Sequence, residues 1–319
     1  MHHTDSTTKH LAAAFDHNYL TPFYVLLTSI FANNSGVNFH IHAIASGVST
    51  QDREEIQRFV KQHGAAISFY VLNPEAVAGL VLPKHLYFTE AAYYRLFFPA
   101  LVPDSVEKLL YLDTDIVVVG SLAALYDTPL HGYPVGAVAE VRATKNRPDL
   151  GIYEIGTYFN SGVMLLNIPE WRRQRITEKA LQFIRDFPEK IIWVDQDALN
   201  VVLANNYVKL DERHNVIPFD IPRYLLRAQH QQFLQDKTLI HYTLKQHKPW
   251  LITCQNKFRY LYHQYLAQSP RSHEKGYKNT QLTLHTVKTL IWVRTFEFLL
   301  TIPKMDSILT LLLGKGKGV

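Results

Sequence analysis

The chain has 319 residues, 47% hydrophobic and 19% charged, a composition that excludes a disordered or fibrous protein and suffices for one large core with an appendage. Its single cysteine, Cys254, excludes an internal disulfide, and no Cys/His cluster has zinc-finger spacing, so a reducing compartment is expected. The net charge of +5 sits wholly at the end, where from Arg271 onward eight Lys/Arg face three Asp/Glu; the remaining body is neutral, which argues against a nucleic-acid surface on it.

The opening MHHTDSTTKH lacks the apolar region of a signal peptide and no apolar run reaches membrane-spanning length, which predicts a cytoplasmic protein. Residues 11–15, LAAAF, predict a buried parallel strand, followed by Asp16, His17 and Asn18. Thr21 reads as a helix N-cap with Pro22 at the first helical position, and Phe23, Leu26, Leu27, Ile30 and Phe31 recur at helical spacing. Residues 37–45 predict a second strand. Ser49 and Asp52 form a capping-box signature for a helix through Ile56, Phe59 and Val60 that stops at Gly64, and residues 66–72 predict a third strand. Strand, helix, strand, helix, strand is the pattern of a doubly wound, mostly parallel α/β sheet, in which ligands bind beyond the carboxyl ends of the strands. Asp16 and Asn18 lie at such an end.

Residues 89–98 predict a helix carrying Arg95, and residues 134–141 a strand ending at Glu140 and Arg142. Asn160, Ser161 and Gly162 come just before a strand that runs to Asn167, and residues 169–187 read as one amphipathic helix. Asp195, Gln196 and Asp197 fall in the first turn of a further helix, where acids suit the dipole. A short strand then brings His241, with Lys245, His247, Lys248 and Trp250 in the loop after it.

The most informative stretch is KLLYLDTDIVVV, residues 108–119. Packing gives no reason for two carboxylates between apolar runs, and burying them unpaired is costly, so they belong at a strand end facing a cleft or a cation. In extended chain, i and i+2 point to one side, so Asp113 and Asp115 converge while Thr114 turns away. Two hard oxygen ligands with room for phosphates suit Mg²⁺ or Mn²⁺.

D-x-D after a strand, Asn-x-Gly at another and His…Lys-Pro-Trp near the end of the body, together with LAAAFDHNY, AAYYRLFF, LYDTPL, YFNSGVMLLNIPEWR and DQDALN, resemble glycosyltransferase family 8, the retaining group with the GT-A fold. The resemblance spans residues 11–250. It implies a UDP-sugar at the carboxyl ends of the sheet, with Mn²⁺ (or Mg²⁺) on the diphosphate held by Asp113, Asp115 and His241. It implies that Lys248 binds the diphosphate, that Asp16 and Asn18 hold uracil and ribose, that Ala14 lies along the uridine, that Thr114 belongs to the donor-binding stretch and that Arg95 reaches the donor's sugar or diphosphate. Asn160, Asp195 and Gln196 surround the transferred hexose, galactose or glucose, in this reading. A front-face mechanism follows, with Asp197 and Glu140 as the alternative nucleophiles. Leu244 stands where the family loop carries a glycine.

Outside the resemblance, each residue has a plainer role: turn chemistry for Asp16 and Asn18, a helix-surface ion pair for Arg95, a satisfied strand-end histidine for His241. A noncatalytic nucleotide-sugar-binding protein and a sugar-nucleotide nucleotidyltransferase are the alternative functions. The absence of glycine from LAAAFDHNY counts against the second. The expected organisation is a GT-A domain over residues 1–268 and a basic, apolar tail over 269–319. The tail stretches QLTLHTVKTLIWVRTFEFLL (281–300) and 308–313 have the composition of helices in a membrane interface, which suits a glycan or lipid-linked saccharide acceptor on the inner face of the membrane.

Overall fold

Four parallel strands begin the sheet of the first of two units, which comprises residues 1–23, 34–114 and 122–214. The computed structural model describes residues 8–83, 88–141, 147–274, 276–278 and 281–314; Arg142, Lys275, Lys315 and Lys317 lie outside these. The strands are β1 (Lys9–Asp16), β2 (Phe39–Ser46), β3 (Ala66–Tyr70) and β4 (Lys108–Leu112). They lie in the order β3-β2-β1-β4. Beyond β4 the sheet continues as β7 (Phe159–Asn167), antiparallel to both β4 and β6 (Val135–Ala139), with β8 (Val208–Lys209) at the edge. The sheet is thus mixed but mostly parallel, as expected. Its central strands are buried on both faces, which is why LAAAF, LLYL and VMLL read as unbroken apolar runs.

Helices α1 (Leu20–Asn33) and α2 (Thr50–Gln62) follow β1 and β2. Ser49 caps α2 by accepting from the Asp52 amide at 3.0 Å. Thr21, by contrast, lies inside α1. Asp16 has already taken over the turn, accepting from the Asn18 amide at 2.9 Å, and so starts helical structure one turn earlier than a Thr21 cap would. Residues 89–98 form a 3₁₀ helix, Glu90–Phe97, that passes into α3 (Phe98–Leu101). After β4, α4 (Ala123–Asp127) leads into β6.

The single helix expected over 169–187 is two, α5 (Ile168–Arg173) and α6 (Ile176–Asp186). Arg175 sits at φ 55° between them. The Thr177 hydroxyl accepts from Trp171 Nε1 at 2.9 Å and donates to the Leu96 carbonyl at 2.6 Å, so α6 is held on a line that α5 cannot continue. Apolar periodicity survives this break, which hid it. Asn160, Ser161 and Gly162 lie inside β7 rather than before it, because Phe159 already pairs with Ala139. Helix α7 (Asp195–Val202) packs on β7.

The second unit comprises residues 24–33, 115–121 and 215–319. Its β5 (Ile116–Val118) pairs antiparallel with β9 (Leu239–His241) in a separate two-stranded sheet. Helices α8 (His230–Leu234), α9 (Arg259–Gln268), α10 (Leu284–Leu299) and α11 (Met305–Leu313) complete it. Glu297 of α10 pairs with Arg259 at 2.8 Å and Arg294 at 2.7 Å, and Leu300 and Leu309 pack with Tyr224. Among the described residues no helix is long and apolar enough to cross a membrane.

Candidate active site

In the first unit the site is built around Arg95, which is 7% exposed. Its Nη2 lies 3.0 Å from Asp113 and its Nε 3.2 Å from Asp195. Its Nη1 donates to the Ser161 carbonyl at 2.8 Å, and its plane lies over Tyr111 at 4.8 Å. Burial opposes its charge, but Asp113 and Asp195 outweigh that, so Arg95 stays cationic. The sequence alone leaves a surface ion pair open for Arg95; in the fold it is a buried hub joining β4, β7 and α7. Tyr111 adds a hydrogen bond to Asp113 at 2.8 Å, and the Asp113 amide donates to the Gly162 carbonyl at 2.8 Å. Tyr111 reads as plain core in the sequence, because nothing in a strand marks which tyrosine hydroxyl meets an aspartate.

Asp195 is 1% exposed, and neither carboxylate oxygen has a well-formed hydrogen bond. The Arg95 Nε–H that lies nearest donates instead to the Ala92 carbonyl at 3.1 Å. Burial pushes this carboxyl up to about 6, against the pull of Arg95. A buried carboxylate with unused acceptor capacity is costly, and such costs are tolerated where a ligand completes the hydrogen bonds. The preceding residue, Val194, holds φ 43°. A β-branched residue there is strained, and strain of this kind concentrates at functional sites.

Gln196, next in the chain, accepts from Asn160 Nδ2 and from the Ser161 amide, both at 3.1 Å. Asn160 also donates to Glu140 at 2.8 Å. Asn160, Asp195 and Gln196 are therefore brought together, with Glu140 beside them. Asp197 has a different part. One of its oxygens accepts from Arg147 at 2.7 Å and Tyr158 at 2.6 Å, the other from the Ile192 and Trp193 amides at 2.7 Å each. With both oxygens engaged and no exposure, Asp197 anchors the start of α7 and has no lone pair to spare as a nucleophile. Arg147 was not legible as its partner, since no local pattern links residues fifty apart.

At the end of β1, Asp16 accepts from Thr89 Oγ1 at 3.0 Å and borders an open cavity of about 380 Å³ with Ser46, Thr89, Glu90 and Tyr94. Asn18 is exposed on the turn beside it, whereas Ala14 is buried in the core of this unit.

The chain passes into the second unit between Thr114, which is 6% exposed, and Asp115. There Asp115 forms an ion pair with Lys248, and its Oδ1 lies 3.3 Å from His241 Nε2. His241 is placed by the pairing of Ile116 with His241, and its Nδ1 lies 2.9 Å from Asn215 Oδ1. That contact fixes the ring orientation and points Nε2 at the carboxylate. With the ring neutral, the carboxylate oxygen and Nε2 converge closely enough to share a cation, and oxygen and imidazole donors suit Mn²⁺ or Mg²⁺. Burial would raise the Asp115 carboxyl, but Lys248 and then His241 hold it well below the usual range. Asn215 has no sequence signal. In the following loop Leu244 adopts φ 65° and ψ 146°, a conformation that glycine takes freely and leucine does not.

The family model "Glycosyl transferase family 8" matches residues 10–254. The chain is 27% identical over 268 residues to General stress protein A of Bacillus subtilis, covering 81% of this chain and 93% of that protein. It is 31% identical over 251 residues to a lipopolysaccharide 1,2-glucosyltransferase of Escherichia coli, covering 75% and 72% respectively. Among solved structures, the galactosyltransferase LgtC in complex with donor and acceptor sugar analogues matches with a TM-score of 0.71 at 24% identity, over 88% of this chain and 99% of that one. The mixed, mostly parallel sheet with flanking helices is the GT-A arrangement that LgtC has.

Proposed function

The chain belongs to glycosyl transferase family 8, and from that premise we propose that it moves a hexose, galactose or glucose, from a UDP-sugar to a glycan or lipooligosaccharide acceptor with retention of configuration. The single observation that carries this reading is Asp195, a buried carboxylate beside Arg95 whose oxygens lack good hydrogen bonds. Sugar hydroxyls are the donors it lacks. The likeness to lipopolysaccharide glycosyltransferases supports the acceptor class.

In this reading Asp113, Asp115 and His241 hold a divalent ion, which when bound neutralises charge on the departing diphosphate. Lys248 adds a second positive charge to the same phosphates. Asp16 and Asn18 receive the uridine with Ala14 below it, and Thr114 belongs to the same donor-binding stretch. Arg95 fixes Asp195 and Asp113 in orientation, Asp195 accepts from the hexose hydroxyls, and Asn160 and Gln196 border the anomeric carbon. As the anomeric carbon–oxygen bond breaks, the leaving phosphate oxygen takes the acceptor hydroxyl's proton, and that hydroxyl attacks from the same face. The full engagement of Asp197 favours this route over a covalent intermediate on that residue. Glu140, close to Asn160 and Gln196, is the remaining carboxylate of that group. UDP release from a panel of UDP-hexoses with Mn²⁺ and no acceptor tests the donor class: one hexose should give slow release. Binding without release from any donor would favour a noncatalytic protein. Proton NMR of the product should show an α-anomer, and a β-linked product would overturn the mechanism.

We further assign residues 1–268 to the catalytic body and 269–319 to a tail that lies on the inner face of the membrane. Leu284, Ile291, Trp292, Phe298, Leu311 and Leu312 are exposed large apolar residues on it, and its sequence carries net positive charge. The full chain should sediment with anionic vesicles, less so in high salt, and a chain stopped before Gln281 should not. Equal sedimentation of the truncated chain would remove the tail as anchor.

A further inference from the structure

Three histidines meet on one face of the first unit's sheet, toward the amino ends of its strands. His40 and His42 alternate on β2, so both project from the same face. His10 lies opposite His40 in the parallel register of β1 with β2. One ring nitrogen from each lies within 4.8 Å of the others. His10 Nδ1 is 2.9 Å from His42 Nε2, and the His40 and His42 rings stack at 4.5 Å. This end of the strands is opposite the carboxyl ends that carry Asp16 and the D-x-D, and nothing in the sugar-transfer reading uses it.

Two of the rings already have an outer partner. His42 Nδ1 lies 2.7 Å from the Tyr70 hydroxyl, and His40 Nε2 lies 2.8 Å from Ser68 Oγ. Each contact fixes a ring orientation and leaves the other nitrogen for the cluster, the arrangement that outer-shell partners give metal-ligating histidines. One hydrogen lies between His10 Nδ1 and His42 Nε2 at their 2.9 Å separation, and a tautomer shift of the ring that carries it frees both lone pairs for an ion. In a tetrahedral site with Zn–N bonds of about 2.0–2.1 Å, ligand nitrogens stand about 3.3 Å apart. His10 and His42 are nearly there. The half-buried His40 needs a small ring movement to join them.

We propose that His10, His40 and His42 form a second, three-histidine site for a zinc-type divalent cation, separate from the ion on the donor diphosphate. Neutral imidazoles without a carboxylate select a borderline-soft ion such as Zn²⁺ over Mg²⁺. Three protein ligands leave the fourth position of a tetrahedral ion to water, and an ion held by His10 of β1 and by His40 and His42 of β2 would tie the two strands together.

The test uses the full chain stripped of metal and titrated with Zn²⁺ against a chromophoric chelator. Asp115→Asn, His40→Gln and His10→Asn are titrated in parallel, with circular dichroism to verify their folds. Wild type and Asp115→Asn should each bind one more tight Zn²⁺ than their His40→Gln counterparts, the double variant included. Loss of an outer-shell partner costs roughly 10–100-fold in affinity, and loss of a direct ligand should cost at least the upper end of that range. With Co²⁺ in place of Zn²⁺, Asp115→Asn should show the strong visible absorption of tetrahedral nitrogen coordination, and His10→Asn in that background should lose it. Equal zinc stoichiometry with affinities within tenfold in wild type and His40→Gln would overturn the site. So would loss of all tight zinc binding in Asp115→Asn, which would give every bound ion to the D-x-D.

Discussion

Asp195→Asn should abolish most transfer and leave the protein as stable as wild type or more so. Burial raises this carboxyl to about 6 from an ordinary 3.8. The folded state therefore holds the proton more tightly than the unfolded chain. The cost of ionising it is absent below about pH 4, grows as pH rises through about 6, and is fully present at pH 8. Two units of displacement correspond to about 3 kcal/mol as an upper estimate. Asparagine has the shape of the neutral acid, so it removes that cost at pH 8, less the mismatch of its N–H₂ against the Arg95 guanidinium. Turnover should fall about 10²–10³-fold, as for loss of one preorganised electrostatic partner of the transition state. Thermal unfolding at pH 8 and pH 5 with initial rates on the same preparations decides it. The variant's advantage should shrink at the lower pH. A lower melting temperature at pH 8 with turnover retained would mean that Asp195 serves the fold and not the sugar.

That trade of stability against function also marks what the sequence could and could not reveal. The α/β alternation, the N-cap at Ser49 and the D-x-D between two strands are local patterns, and they were legible. The hub around Arg95 was not, because its partners Asp113, Ser161 and Asp195 are brought together only by the pairing of β4 with β7 and the packing of α7 on β7. Asp197 shows the same limit from the other side. It shares a helical turn with Asp195, yet its oxygens are saturated by Arg147, Tyr158 and two backbone amides, while those of Asp195 lack good hydrogen bonds. Two acids of one motif, with Gln196 between them, differ in how their oxygens are bonded, and only the three-dimensional hydrogen-bond inventory separates them. Leu244 stands where the resemblance implies a glycine, and its positive φ is of the kind that glycine takes freely.

Asp115→Asn should act on both function and fold, unlike Asp195→Asn. Asp115 is buried and neutralises Lys248, whose side chain is only 17% exposed. Removing one member of a buried pair strands the other, at a cost of about 3–5 kcal/mol. In EDTA the variant should therefore melt several degrees below wild type. Added Mn²⁺ should raise the wild-type melting temperature, because an ion that binds only the folded state stabilises it by an amount that grows with the logarithm of its concentration above Kd. Asp115→Asn should lose most of that shift, and transfer should fall by more than 10³-fold as the diphosphate loses its counter-charge. Lys248→Met separates the two cations that Asp115 serves. Without the ammonium, the Asp115 carboxylate and His241 Nε2 still face each other at 3.3 Å, and a divalent ion no longer competes with Lys248 for the carboxylate. Mn²⁺ affinity should rise in Lys248→Met while turnover falls, since the donor phosphates lose a positive charge. The opposite signs distinguish a metal ligand from a structural ion pair. If Mn²⁺ shifts the melting of wild type, Asp115→Asn and Lys248→Met equally, Asp115 does not hold the ion.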